Sequence, residues 1–116
     1  MMRDPDTVAR DYLALWNEAN DLSRRHRLDE GWTANARCVD PMMAGDGQKG
    51  IGDMIAAARA QFPGHVFMLK GAPDGHGQFV RFSWTLAPKG GAPVAGGTDV
   101  VRLEESSRRT SSHAPI

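Results

Sequence analysis

The chain has 116 residues, one cysteine, and fourteen basic residues against fourteen acidic ones. That length allows one domain with a single core, and the cancelled charge excludes partners drawn by bulk field, such as nucleic acid or an anionic membrane surface. Cys38 has no second cysteine to pair with, no stretch approaches the roughly 20 apolar residues of a spanning helix, and the N-terminus lacks the basic-then-apolar run of a secretory signal, so a soluble cytoplasmic protein is expected.

Asp4-Pro5 reads as a helix start, because Asp4 can cap orphan amides and Pro5 suits the first helical position. Val8, Tyr12, Leu15, Trp16 and Ala19 then recur at helical spacing and form one apolar face. Tyr12 lies on that face, so its hydroxyl needs a partner or water once buried. Asn20-Asp21 marks a turn, and Ser23 can cap a second helix with Leu22, Leu28 and Trp32 as its buried positions. The run Arg24-Arg25-His26-Arg27 reads as a solvated helix face rather than a dock for an anion. Gly31 and Asn35 weaken the end of this helix, residues 36–40 read as a short strand, and Gly45-Asp46-Gly47 reads as the turn of a hairpin over 42–49. Ile51, Ile55, Ala58 and Phe62 give a third helix its face, and Pro63-Gly64 stops it. The glycines before that helix lack the lysine-serine/threonine ending of a phosphate loop.

From His65 onward the period is two. Residues 66–70 form a strand, Pro73-Asp74-Gly75 a turn, and 78–87 the longest alternating run, with Val80, Phe82, Trp84 and Leu86 on its core face. After a Lys89-Gly90-Gly91 turn, the strand over 94–103 puts Ala95, Gly97, Asp99, Val101 and Leu103 on one face. An inward carboxylate such as Asp99 has to be paired, protonated or functional. The segment after residue 105 has no apolar alternation, and its composition alone would make it disordered.

Several pieces together resemble the SnoaL-like branch of the nuclear transport factor 2-like superfamily. They are Tyr12-x3-Trp16-Asn17, Val39-Asp40-Pro41, the Gly50-Ile51 helix opening, Phe62-Pro63-Gly64, Arg81-Phe82-Ser83-Trp84 and Gly97-Thr98-Asp99. The resemblance covers about residues 5 to 103 and implies an α+β fold, a cone-shaped, curved, mostly antiparallel sheet with three helices packed on it and a pocket at its mouth. It divides the chain into a cone domain over 1–105 and a polar C-terminal segment over 106–116. In this fold the last strand lies inside the sheet, so residues 108–114 are expected to pair as a polar strand despite their composition, a disordered tail being the alternative.

The superfamily contains ketosteroid isomerase, and three positions here resemble its working residues. Tyr12 resembles the oxyanion-binding tyrosine, Asp40 before proline the carboxylate base, and Asp99 the protonated acid beside the tyrosine. The resemblance then implies an isomerase or polyketide-cyclase-like catalyst in which Asp40 takes a proton from carbon next to a carbonyl, while Tyr12 and neutral Asp99 donate to the developing enolate oxygen. Trp16, Met42, Met68, His76, Phe82, Trp84 and Val101 are the expected walls and contacts of the substrate. The expected partners are a small apolar or carbonyl-containing ligand and a second copy of the chain, with no cofactor. The four histidines lack metal-ligand spacing, so no metal is expected. The alternative is a non-catalytic binding or dimerisation module of the same fold, with Tyr12 and Asp99 hydrogen-bonded only to each other.

Overall fold

A computed structural model describes residues 4–39, 43–104 and 109–113. Helix α1 (Pro5–Asn17) begins as its sequence dictates, with the Asp4 carboxylate accepting the Thr7 amide at 3.2 Å and Pro5 in the first turn. Such a cap contributes about 1 kcal/mol. Val8, Ala9, Tyr12, Leu13, Leu15 and Trp16 form its buried face, and Ala19 falls beyond its end, exposed.

Helix α2 (Asp21–Gly31) starts earlier than the Ser23 cap would allow. Its cap is Asn20, in an extended conformation, whose side chain accepts the Ser23 amide at 2.9 Å. That start turns Leu22 outward, 73% exposed, and gives the inward position to Arg24. Arg24 is four residues before buried Leu28 and shares its face, whereas Leu22 is six before it and does not. The buried guanidinium donates to the Asp21 carboxylate and the Glu18 carbonyl oxygen, both at 2.8 Å. Beside this joint, Arg27 donates to Glu18 Oε1 at 3.1 Å. That bond, helped by the Asn20 amide, holds the Glu18 carboxyl below the usual carboxylate range.

Strand β1 (Trp32–Val39) follows Gly31 directly, so Trp32 opens a strand longer than expected and is fully buried there. Strand β2 (Ala44–Asp46) pairs with it antiparallel, Val39 opposite Ala44 and Arg37 opposite Asp46. This is not the hairpin expected over 42–49, because residues 47–49 belong to a helix, and Gly45-Asp46-Gly47 is not a turn. Gly45 is a strand residue, and Gly47 opens α3 (Gly47–Gln61) with φ 70°. A Cβ on Gly45 would come within 2.7 Å of the Gly50 carbonyl oxygen, so the glycines serve a close backbone approach between β2 and the helix start. Ile51, Met54 and Ile55 are the buried residues of α3.

Strands β3 (His65–His76), β4 (Phe79–Pro88) and β5 (Ala95–Leu103) form successive antiparallel pairs. Pro73-Asp74-Gly75 does not turn the chain. An irregularity between Lys70 and Asp74 absorbs it, the strand runs on to His76, and the turn is Gly77-Gln78, with Gly77 at φ 58°. Strand β6 (Arg109–His113) lies inside the sheet, parallel to β1 and antiparallel to β5. Backbone pairing on both sides needs no apolar alternation, which is how a polar segment fills this slot. Arg109 supports it, buried with its guanidinium 5.5 Å from the centre of the Trp32 ring.

The result is one curved, unclosed sheet in the order β2-β1-β6-β5-β4-β3. Helix α1 packs on β3 and β4, and α3 on β1 and β2. Among the described residues, no helix is long and apolar enough to cross a membrane.

Candidate active site

Between α1, α3 and the sheet lies a cavity of about 560 Å³. Two periodicities converge in it. The helical phase of α1 brings Tyr12, Leu13 and Trp16 to one wall, and the alternation of β5 brings Ala95, Gly97 and Asp99 to another. The Tyr12 hydroxyl donates to Asp99 Oδ2 at 2.7 Å, and both side chains are buried, 2% and 7% exposed. Each of these two buried polar side chains thus has a hydrogen-bond partner in the other.

Around this pair the rings are fixed by packing. Phe82 meets Tyr12 edge-on with centroids 5.0 Å apart, and Trp32 lies 6.0 Å away. Phe82 and Val101 therefore belong to the closed core that supports the pair and are not among the lining residues. Towards the opening, Phe67 contacts Trp16 at 5.5 Å and Trp84 at 5.3 Å, with interplanar angles of 64° and 71°. Trp84 lies against the backbone of β5, where a Cβ on Gly97 would come within 2.8 Å of its Cζ2. Phe67 is held from behind by Asn17, whose side chain donates to its carbonyl oxygen and accepts its amide, both at 2.8 Å. Cys38, Val39, Met43, Met54 and Ala58 complete the apolar side.

Of the residues expected at the site, Tyr12, Trp16, Trp84 and Asp99 line one cavity. Asp40 and Met42 lie outside the described residues. Met68 is not a wall. Phe67 and Leu69 take the inner face of β3, which leaves Met68 on the outer face, 58% exposed. His76 is also removed from the cavity, because β3 carries it to the exposed hairpin end opposite Phe79. Arg81 is exposed on the outer face, 3.9 Å from Asp74, and does not line the cavity. Among the described residues, no group of three or more His, Cys, Asp or Glu side chains could hold a metal ion.

Phe67, Leu13, Met54 and Cys38 were not expected as lining residues. The two-residue period would have found Cys38, since it alternates with buried Ala36 on β1. Phe67 carried no such signal, because Val66, Phe67, Met68 and Leu69 are apolar in both phases.

A SnoaL-like protein of Agrobacterium tumefaciens strain C58, suggested to be an isomerase, is 52% identical to this chain. The match covers 93% of this chain and 92% of that chain, with a TM-score of 0.90. The chain belongs to the SnoaL-like family. This SnoaL-like protein also shares its fold with a Sinorhizobium meliloti protein suggested to be a polyketide cyclase, at 14% identity, 94% coverage of each chain and a TM-score of 0.73. A nuclear transport factor 2-like protein of unknown function from Cytophaga hutchinsonii ATCC 33406 matches at 12% identity, 99% and 91% coverage and a TM-score of 0.69. At those two identities the likeness is one of fold alone. No protein-family model matches the SnoaL-like chain. No curated protein matches it either.

Proposed function

We propose that the cavity is an active site for proton transfer next to a carbonyl group, in an isomerase or cyclase-like reaction on a small molecule. The observation that carries this reading is the buried 2.7 Å bond between Tyr12 and Asp99 in the wall of an apolar cavity. In the reaction, the substrate oxygen replaces that mutual bond. Tyr12 and a neutral Asp99 both donate to it as negative charge develops, in surroundings where water does not compete. Losing one such donor commonly costs about 10²-fold in rate.

Asp40 is the proposed base. Its support is its place in the chain, since Val39 and Met43, the described residues on either side of it, both line the cavity. Pairing of two copies, implied by the family resemblance, belongs to the same proposal, and sedimentation would report it. A second reading, a binding module without chemistry, is supported by the same Tyr12–Asp99 hydrogen bond, which forms without any substrate.

A planar phenol titrated into the protein across pH and followed by its ultraviolet spectrum tests the proposal. The ionised phenol mimics an enolate, so it should bind wild type, bind Asp40→Asn as well or better, and bind Tyr12→Phe at least tenfold more weakly, a change of about 1.4 kcal/mol. Failure to bind any variant would sink the proton-transfer reading and leave the binding module.

A further inference from the structure

The cavity deepens along β5. Of the β5 residues that line it, Ala95 and Gly96 are exposed, Gly97 is half-buried and Asp99 is buried, so the strand runs from a mouth down to the Tyr12–Asp99 pair. Helix α3 steps the same way, from exposed Gln61 and Phe62 through half-buried Ala58 to buried Met54. Residues two apart on one face of a strand are separated by about 7 Å. A ligand oxygen held by Tyr12 and Asp99 therefore brings whatever the ligand carries one ring's length away alongside position 97.

That position is already taken by a neighbour. Gly97 pairs with Trp84 across β4 and β5, and a Cβ on it would lie 2.8, 3.1 and 3.5 Å from Cζ2, Cε2 and Cη2 of the indole. The six-membered ring of Trp84 thus occupies the space that a side chain at 97 would fill. It cannot retreat towards β3, because Phe67 meets it edge-on there at 5.3 Å and is itself held by Asn17. A side chain at 97 would move the indole into the cavity.

We propose that Gly97 is the specificity-determining residue of this cavity. By leaving Trp84 on β5, it admits carbonyl compounds that carry a bulky apolar group about 7 Å from the reacting oxygen. A larger residue at 97 would leave the Tyr12–Asp99 pair intact and close the way to it. The inference rests on the proton-transfer reading, since it takes the substrate oxygen to sit on Tyr12 and Asp99.

The experiment titrates phenol and 4-tert-butylphenol, which ionise alike and differ in bulk at the far end of the ring, into wild type, Gly97→Ala, Trp84→Leu and the double variant. The readout is the ratio of the two affinities in each protein, so a loss common to both ligands cancels. Wild type should favour the bulky phenol, and Gly97→Ala should lower that preference at least about tenfold while phenol itself still binds. The double variant should match Trp84→Leu within about threefold, because the added methyl group acts only through the indole. An unchanged preference in Gly97→Ala would overturn the inference, and so would a lower preference in the double variant than in Trp84→Leu. The second comparison decides the matter if Gly97→Ala alone does not fold. Phenol binding with one preference throughout rejects this inference and keeps the proton-transfer reading. The expected shift in preference, with binding indifferent to Tyr12→Phe, does the reverse. Failure of both phenols to bind wild type rejects both.

Discussion

The two halves of the sheet are held together by different physics. In β4 and β5 every second residue faces inward and, Asp99 apart, is apolar or small, so Val80, Phe82, Val101 and Leu103 are almost fully buried and the strands are fixed by their side chains. β1 also buries Trp32, Ala36 and Cys38, but where β6 joins it the pairing is carried by the backbone, and the described side-chain contacts across that pair involve polar or charged groups of β6. Thr33 donates to Thr110 at 3.2 Å, and Arg109 lies over Trp32. A strand specified by its side chains can be read from its sequence. A strand specified by the slot it fills cannot.

The sharpest way to break the contrast is to remove β6 altogether. A chain ending at Glu104 leaves β1 and β5 without their shared neighbour, and we expect it to lose cooperative thermal unfolding by circular dichroism. A folded truncated chain would show that the polar strand is dispensable. Next in size is Phe82→Ala in the half held by side chains, which should cost about 3–5 kcal/mol in denaturant unfolding because it opens a cavity under Tyr12.

Thr110→Ala probes the polar half by side chain alone and should cost no more than about 1 kcal/mol by the same measurement. A larger loss would mean that side chains specify β6 after all. The smallest effect is expected at the polar joint between α1 and α2. Arg27→Ala should return the Glu18 carboxyl, followed by NMR, towards its ordinary titration range. Because that pKa is lowered by folding, whatever stability the pair contributes is present above the unfolded-state pKa and is lost as pH falls through the folded one. In Arg27→Ala this acid-side loss should shrink.

The same contrast explains what was legible. The phase of α1 and the alternation of β5 each put one polar group on an apolar face, and those two groups, Tyr12 and Asp99, are hydrogen-bonded. The interior place of β6 followed from the fold that residues 5–103 resemble, since its own composition argued for a tail. What was lost lay where two patterns fit equally well. In β3 both phases are apolar, so Met68 was read as a wall while Phe67 took that place. In α2 the capping residue was mistaken by three positions, which exchanged Leu22 for Arg24 as the inward side chain. Pro73-Asp74-Gly75 consists of turn residues, yet the strand continues through it and carries His76 to the hairpin end, away from the cavity.

The hold of Asn17 on Phe67 reaches beyond the cavity wall. Strand β3 is the last in the sheet, and the amide and carbonyl that Asn17 occupies are the groups an incoming strand would use. One side-chain amide, with a donor and an acceptor side by side, therefore caps that rim as a single residue of a further strand would, and lateral growth into aggregates is blocked there. Aspartate at the same position would keep the size of the side chain and lose the donor, leaving the Phe67 carbonyl open to another molecule's backbone.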